Sequence, residues 1–354
     1  MFPLQLYPER VASELAELQF RLVRGMCSLE NIGEIELGAS QREAVYRDDL
    51  LTLYRYTPQS RDPHPVPVLV VYALVNRPYI ADLQEGRSLI QGLLQRGLDV
   101  YLVVWGDPNE ADRFLTLDDY INGYLDRCVG HILERTGRQR LDLLGICQGG
   151  TFSLCYTALH PDKVGNLVTT VTPVDFHAPG SLLTNLVRHV DVGLLVEAIG
   201  NVPGDALNWT FLMLKPYHLI GQKYARLADV LQDRERALDF LRMEKWIFDS
   251  PDQAGEAYRE FIEQFYQRNA LVNGGARIGG RPVDLKQVKA PILNVYALQD
   301  HLVPPDSSRA LQGLVGSKDY TALEFPGGHI GLYVSGKSQK LVPPAIADWL
   351  RQRG

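Results

Sequence analysis

Leu141-Asp142-Leu143-Leu144-Gly145-Ile146-Cys147-Gln148-Gly149-Gly150 carries the pattern from which the rest of the chain can be read. Its first half is a short apolar run suited to a buried strand. The segment after it, with Phe152, Cys155, Ala158 and Leu159 at helical spacing, reads as a helix. Between the two, Gly145-Ile146-Cys147-Gln148-Gly149 has the form G-x-S-x-G of a nucleophile elbow, with cysteine in place of serine. Glycines flank such a turn because strand and helix pass too close for a β-carbon. The elbow lifts the Cys147 side chain out at the helix start, where the positive helix end favours a thiolate. The backbone N–H of Gln148 then faces a developing oxyanion. Free cysteines are more often core fillers; the strand–turn–helix setting is what marks Cys147 as a nucleophile.

Outward from the elbow, strand and helix patterns alternate, which predicts a largely parallel sheet with helices on both faces. Upstream, residues 10–29 read as a helix, and residues 43–47 and 50–56 as a hairpin around Asp48-Asp49. A Pro-rich loop over 57–67 leads to a buried strand at 68–74, a helix over 82–97 and a strand at 100–105. Thr116-Leu117-Asp118-Asp119 is a capping-box pattern for a helix that closes near Gly137. Downstream, the elbow helix runs to His160 and a strand follows at 166–172. Residues 176–284 are helical, aromatic and irregular, the pattern of an inserted cap, and the sheet resumes at 291–297 and 320–325 before a last helix with Ile346, Trp349 and Leu350. The organisation expected is a core over 1–175, a cap over 176–284 and the rest of the core over 285–354.

The chain has 354 residues, room for one large α/β domain with an insertion. A net charge of −6 without a basic block argues against nucleic-acid binding. Apolar residues at 45% and charged ones at 22% are those of a soluble globular protein, and no apolar run is long enough to cross a bilayer. The first residues lack the regions of a signal peptide, so a cytoplasmic setting is expected. Cys27, Cys128, Cys147 and Cys155 form no metal-binding pair and no disulfide framework. Cys128 shares a helical face with Tyr124, Leu125 and Ile132 and belongs to a core. No metal ligand set is expected.

An elbow nucleophile needs a base, and the base an orienting acid. In α/β-hydrolases these come in the order nucleophile, acid, histidine, in loops after late strands. Asp300, in Gln299-Asp300-His301-Leu302-Val303-Pro304, and His329, in Gly327-Gly328-His329, fit that order. Asp306, Asp99 and Asp107 are alternative acids, though Asp107 precedes the nucleophile. Among eight histidines the rival is His301. Asp300 cannot readily orient its own neighbour, so His301 is expected to line the site rather than act as base. Such a triad predicts loss of activity on the acid side as His329 takes up a proton. The second oxyanion donor is expected in the loop Ala73-Leu74-Val75-Asn76-Arg77-Pro78-Tyr79, from the N–H of Val75 or Asn76. Arg77 could meet a phosphate, although a structurally paired arginine is the commoner case.

Taken together, the elbow, the loop Val75-Asn76-Arg77-Pro78-Tyr79, Trp105-Gly106-Asp107-Pro108, Leu117-Asp118-Asp119-Tyr120, Thr172-Pro173-Val174-Asp175-Phe176, Gln299-Asp300-His301-Leu302-Val303-Pro304 and Gly327-Gly328-His329 resemble polyhydroxyalkanoate synthase, nearly end to end. The length and elbow wording are similar to the catalytic subunit of class III synthases. The resemblance implies an α/β-hydrolase fold and a Cys147–His329–Asp300 triad. It implies an acyltransferase that polymerises (R)-3-hydroxyacyl-CoA, chiefly 3-hydroxybutyryl-CoA, through an acyl-cysteine, with coenzyme A as leaving product and no cofactor. It further implies a second, non-catalytic synthase subunit as partner, a homo- or hetero-oligomer, and residence at the surface of cytoplasmic storage granules. The alternative for the same triad is a thioesterase or a dienelactone-hydrolase-like enzyme.

Overall fold

The computed structural model describes residues 37–61, 63–214 and 227–354, together with residues 13, 16, 17, 20 and 35. Its centre is an eight-stranded sheet. The strands are β1 (Arg42–Asp48), β2 (Leu51–Tyr56), β3 (Val68–Val71), β4 (Val100–Trp105), β5 (Leu141–Ile146), β6 (Val164–Thr170), β7 (Ile292–Ala297) and β8 (Tyr320–Phe325). Their spatial order is β1-β2-β4-β3-β5-β6-β7-β8. All neighbours from β4 to β8 pair parallel, and β2 is antiparallel to both β1 and β4. Every residue of β3, β5 and β7 is buried, as strands covered on both faces require. The expected α/β-hydrolase architecture is thus observed, and the strand order reverses beside β3, where α/β sheets open a crevice at their carboxyl ends.

Several elements fall where the pattern predicts. The hairpin turns at Asp49, whose φ of 48° is the left-handed conformation that aspartate tolerates. The Asp119 carboxylate accepts from the Thr116 N–H at 2.7 Å while the Thr116 hydroxyl accepts from the Asp119 N–H at 3.3 Å, closing the capping box. Gly137, at φ 65°, ends the helix Asp126–Thr136. The helix expected over 82–97 is shorter. Asp82–Gln84 and Arg87–Ser88 form a small antiparallel ribbon turning at Gly86, and only Leu89–Leu94 is helical, capped by the Ser88 side chain. The buried Asp82 carboxylate draws the ribbon together by accepting from the Ser88 hydroxyl at 2.5 Å and the Ser40 N–H at 3.0 Å.

The chain divides into two compact units, Gly38–Leu207 with Asp249–Gly354, and Met1–Leu37 with Asn208–Phe248. Of the stretch 176–284, the middle from Asn208 to Phe248 falls in the smaller unit and both ends fall in the sheet-containing one. The reason is an aromatic cluster. Phe176, Phe261 and Phe265 are buried, and Phe261 stands edge-on to Phe152 of the elbow helix at 6.0 Å. Phe176 stacks on Phe265 at 5.6 Å and meets Tyr266 edge-on at 4.8 Å. Much of the aromatic content that suggests a cap is thus core of the larger unit. In the smaller unit, helix Arg234–Ile247 is capped by Asp233 and buries Ala237 and Trp246. The helix expected over 10–29, with Cys27, lies largely outside the described residues. No helix among the described residues is long and apolar enough to cross a membrane.

Because Phe265 is fully buried within this cluster, Phe265→Ala is expected to destabilise the larger unit by about 3–5 kcal/mol. Urea denaturation checks this; a loss below about 1 kcal/mol would remove the cluster from the core.

Candidate active site

The elbow is built as its glycines demand. Cys147 sits between β5 and helix Gln148–Leu159 at φ 54° and ψ −123°, a strained position for a residue with a β-carbon. Its N–H donates to the Thr170 carbonyl at 2.9 Å, and its carbonyl accepts from Gly150 N–H at 2.9 Å. A β-carbon on Gly149 would overlap the Val71 carbonyl oxygen, one on Gly150 the Thr172 hydroxyl, and one on Gly145 the Gly150 Cα. The helix is therefore wedged into the sheet. The Cys147 thiol is left partly exposed, whereas Cys128 and Cys155 are buried. Burial alone pushes the Cys155 thiol up to about 12, the mark of an inert core cysteine.

Asp300 and His329 meet across the loops that follow β7 and β8. The imidazole Nδ1 lies 2.6 Å from Asp300 Oδ2. The Asp300 side chain is fully buried, and its other oxygen accepts from Leu302 N–H at 2.9 Å and Val303 N–H at 3.0 Å. Those bonds explain why an aspartate opens this loop: its short side chain folds back on its own backbone. The two loops are stitched together by Gln299 N–H on the Gly327 carbonyl at 2.8 Å. Cys147 also acts on this imidazole, its negative charge favouring the protonated ring.

The electrostatics of this chain correct one expectation. Burial works against a charge on His329, but the Asp300 carboxylate and then the negative charge of Cys147, each with its hydrogen bond, outweigh it and raise the imidazole to about 10. A loss of activity as His329 titrates near neutral pH is therefore not expected. The raised imidazole favours holding a proton at neutral pH.

Of the remaining candidate residues, Gln148 opens the elbow helix, so its N–H has no intrahelical partner. Val75 and Asn76 lie in the loop after β3; Asn76 has φ 57° and its side-chain amide donates to Ser250 Oγ at 2.9 Å. Arg77 is not an open anion receptor. Its guanidinium is bidentate to Asp107 at 2.8 Å and reaches Asp249 at 3.1 Å, which leaves it an anchor for the loop. His301 is partly exposed on the Asp300 loop. Asp99 pairs with Arg55 at 2.9 Å and Asp306 with Arg309 at 2.8 Å, so neither alternative acid is the partner of His329. Among the described residues no cluster of ligating side chains could hold a metal ion.

Two tyrosines escaped the sequence reading. The Tyr333 hydroxyl is 2.8 Å from Thr170 Oγ1, beneath the elbow, and burial together with the charges of Cys147 and Asp300 keeps this phenol protonated. Its place four residues after His329 is the signal in the sequence. Tyr266 is kept protonated by burial and the Cys147 charge, and lies on the π-helical segment Ile262–Gln267; no pattern in the sequence joins it to the elbow.

The sheet order, the elbow after β5 and the acid and histidine after β7 and β8 define an α/β-hydrolase. The family described as alpha/beta hydrolase fold matches residues 66–335. A monoacylglycerol lipase from Paleococcus ferrophilus superposes with TM-score 0.54 at 17% identity, over 86% of this chain and 99% of that one. A metagenome-derived lipolytic enzyme gives 0.52 at 16% identity, over 82% and 95%. Those likenesses establish the fold alone. Within it, residues 12–93 match the N-terminus of poly-beta-hydroxybutyrate polymerase (PhaC). The poly(3-hydroxyalkanoate) polymerase subunit PhaC of Allochromatium vinosum is 59% identical over 100% of both chains, and that of Thiocystis violacea 56% over 100% of both. The namesake from Synechocystis is 54% identical over 96% of this chain and 92% of its own. The chain belongs to the poly(3-hydroxyalkanoate) polymerase family.

Because Asp300 and Cys147 each raise the His329 pKa, both Asp300→Asn and Cys147→Ala should shift the imidazole titration to lower pH. NMR of the His329 ring across pH 5–11 (roughly one unit either side of the ordinary and raised values) reads this directly. An unshifted midpoint in Cys147→Ala would separate the thiol from the imidazole.

Proposed function

We propose that this chain polymerises (R)-3-hydroxyacyl-CoA, chiefly 3-hydroxybutyryl-CoA, into polyhydroxyalkanoate with release of coenzyme A, through an acyl-Cys147 intermediate. Family membership supports the polymerisation. The observation that supports the chemistry is the Asp300–His329 hydrogen bond at the carboxyl ends of the sheet, with the Cys147 charge acting on the same imidazole.

The Cys147 thiolate attacks the thioester carbonyl, with the oxyanion received by the N–H groups of Gln148 and Val75. The bond to coenzyme A sulfur breaks, the departing thiolate takes the proton held on His329, and an acyl-cysteine remains. Acylation removes the Cys147 charge and its hydrogen bond, two of the causes that raise His329. Burial then makes the imidazole readier to release a proton, so it returns to the neutral form and serves as base. It takes the proton of a 3-hydroxyl, whose oxygen attacks the acyl-Cys147 carbonyl; the ester bond forms as the carbon–sulfur bond breaks, Cys147 leaves as thiolate and the proton stays on His329. Asp300 orients the ring and stabilises its protonated form. A thioester brings its own activation, so the reaction calls for no resident cofactor. Tyr266, with Phe176 and Phe261 packed against it, supplies apolar surface beside the elbow helix that disfavours water.

His301 and Asn76 are proposed to border the acyl-CoA path. Named "subunit" in its relatives, the chain is further proposed to work with a second, non-catalytic synthase subunit in an oligomer at the surface of cytoplasmic polymer granules. Exposed Leu186, Val190, Leu194 and Ile199 support a surface that such an apolar or protein neighbour would cover.

Intact-protein mass spectrometry after incubation with 3-hydroxybutyryl-CoA tests the reading. A ladder of adducts spaced by one hydroxybutyrate unit, absent in Cys147→Ala, is expected. A single transient adduct with free hydroxy acid accumulating would mean a thioesterase or a dienelactone-hydrolase-like enzyme instead.

A further inference from the structure

The loop that brings Val75 to the site, residues 72–79, contains no glycine, yet it must present a backbone N–H at a fixed place. It is held instead by side chains from elsewhere in the larger unit. The Trp105 indole donates to the Tyr72 carbonyl at 3.0 Å, Ser250 accepts from Asn76, and Asp249 accepts from both Arg77 and the Tyr79 hydroxyl at 3.0 Å. One tether differs in origin. The Leu74 N–H donates at 2.9 Å to Oε1 of Gln148, a buried bond spanning 74 residues of sequence. Gln148 is 7% exposed and adjoins the nucleophile itself. Its neighbour Gly149 lies against the Val71 and Tyr72 backbone, so elbow and loop are in contact at this level of the fold.

We propose that the Gln148 side chain is a positioning residue that assembles the oxyanion hole. Its backbone N–H supplies one donor, and its side-chain carbonyl fixes Leu74 so that the next N–H, that of Val75, supplies the other. The bond takes the Leu74 N–H out of play and sets the spacing between the two donors from a single residue. A hole of this kind tolerates little displacement, since a misplacement of about 1 Å lowers rates roughly 100-fold. The inference rests on the polymerase reading above.

Gln148→Met keeps the length of the side chain and removes the acceptor. Two rates on Cys147 separate positioning from folding: acylation by 3-hydroxybutyryl-CoA in a single turnover, which develops an oxyanion, and alkylation by iodoacetamide, which develops none. Acylation should fall roughly 10- to 100-fold while alkylation stays within about twofold of the native enzyme, and the smaller Gln148→Ala should show the same split. Acylation at the native rate in either variant would overturn the proposal. So would a parallel loss of both rates in both variants, which would make the side chain a folding element of the elbow. Native enzyme that is alkylated but never acylated would instead sink the polymerase reading, and this inference with it.

Discussion

Cys147 stands at φ 54° and ψ −123°, a conformation that costs about 1–3 kcal/mol for a residue with a β-carbon. Something has to hold it there, and most of the larger unit is organised around doing so. Three glycines let the elbow helix close onto β5, onto the end of β3 and onto Thr172 without steric overlap. The Thr170 carbonyl ties down the N–H of Cys147 itself. The helix is buried along almost its whole length, from Gln148 to Ala158. A strained residue on a mobile loop would relax; here the relaxed alternatives would push backbone into backbone. The thiol is thereby kept at the helix start, partly exposed.

The same packing explains the charge arrangement. A buried imidazole resists protonation, and the Asp300 carboxylate and the Cys147 thiolate reverse that preference. The balance depends on the charge at Cys147, without which burial weighs more heavily against a protonated ring. Asp300 can play this part because its second oxygen is satisfied by the loop's own N–H groups, so that its orientation does not depend on solvent.

The loop after β3 has no glycine between Tyr72 and Tyr79, yet it is held in place. Side chains do what glycine flexibility does in lipases: Arg77 is spent on Asp107 and Asp249, Asn76 on Ser250, and Gln148 on Leu74. Each tether is polar and directional, so the loop is fixed in register as well as in position.

Local pattern determined the elbow, the parallel sheet, the order of nucleophile, acid and histidine, and the capped helix ending at Gly137, because each depends on spacing within a short window. Glycine at the elbow, alternation in the hairpin and Asp300 at a strand end carry their meaning on their own backbone. Only tertiary structure decided the rest. The aromatic stretch from Phe176 to Phe265 reads as an insertion, yet its ends join the core, since a ring's neighbours are not written in its spacing. Asp82, Ser40 and Ser88 convert an expected helix into a ribbon through bonds between distant positions. Arg77 has its partners 30 and 172 residues away, and the proton affinity of His329 comes from two groups, Asp300 and Cys147, brought to it by the loops after two other strands. Burial and long-range pairing set those properties, and neither has a signature in a single stretch of chain.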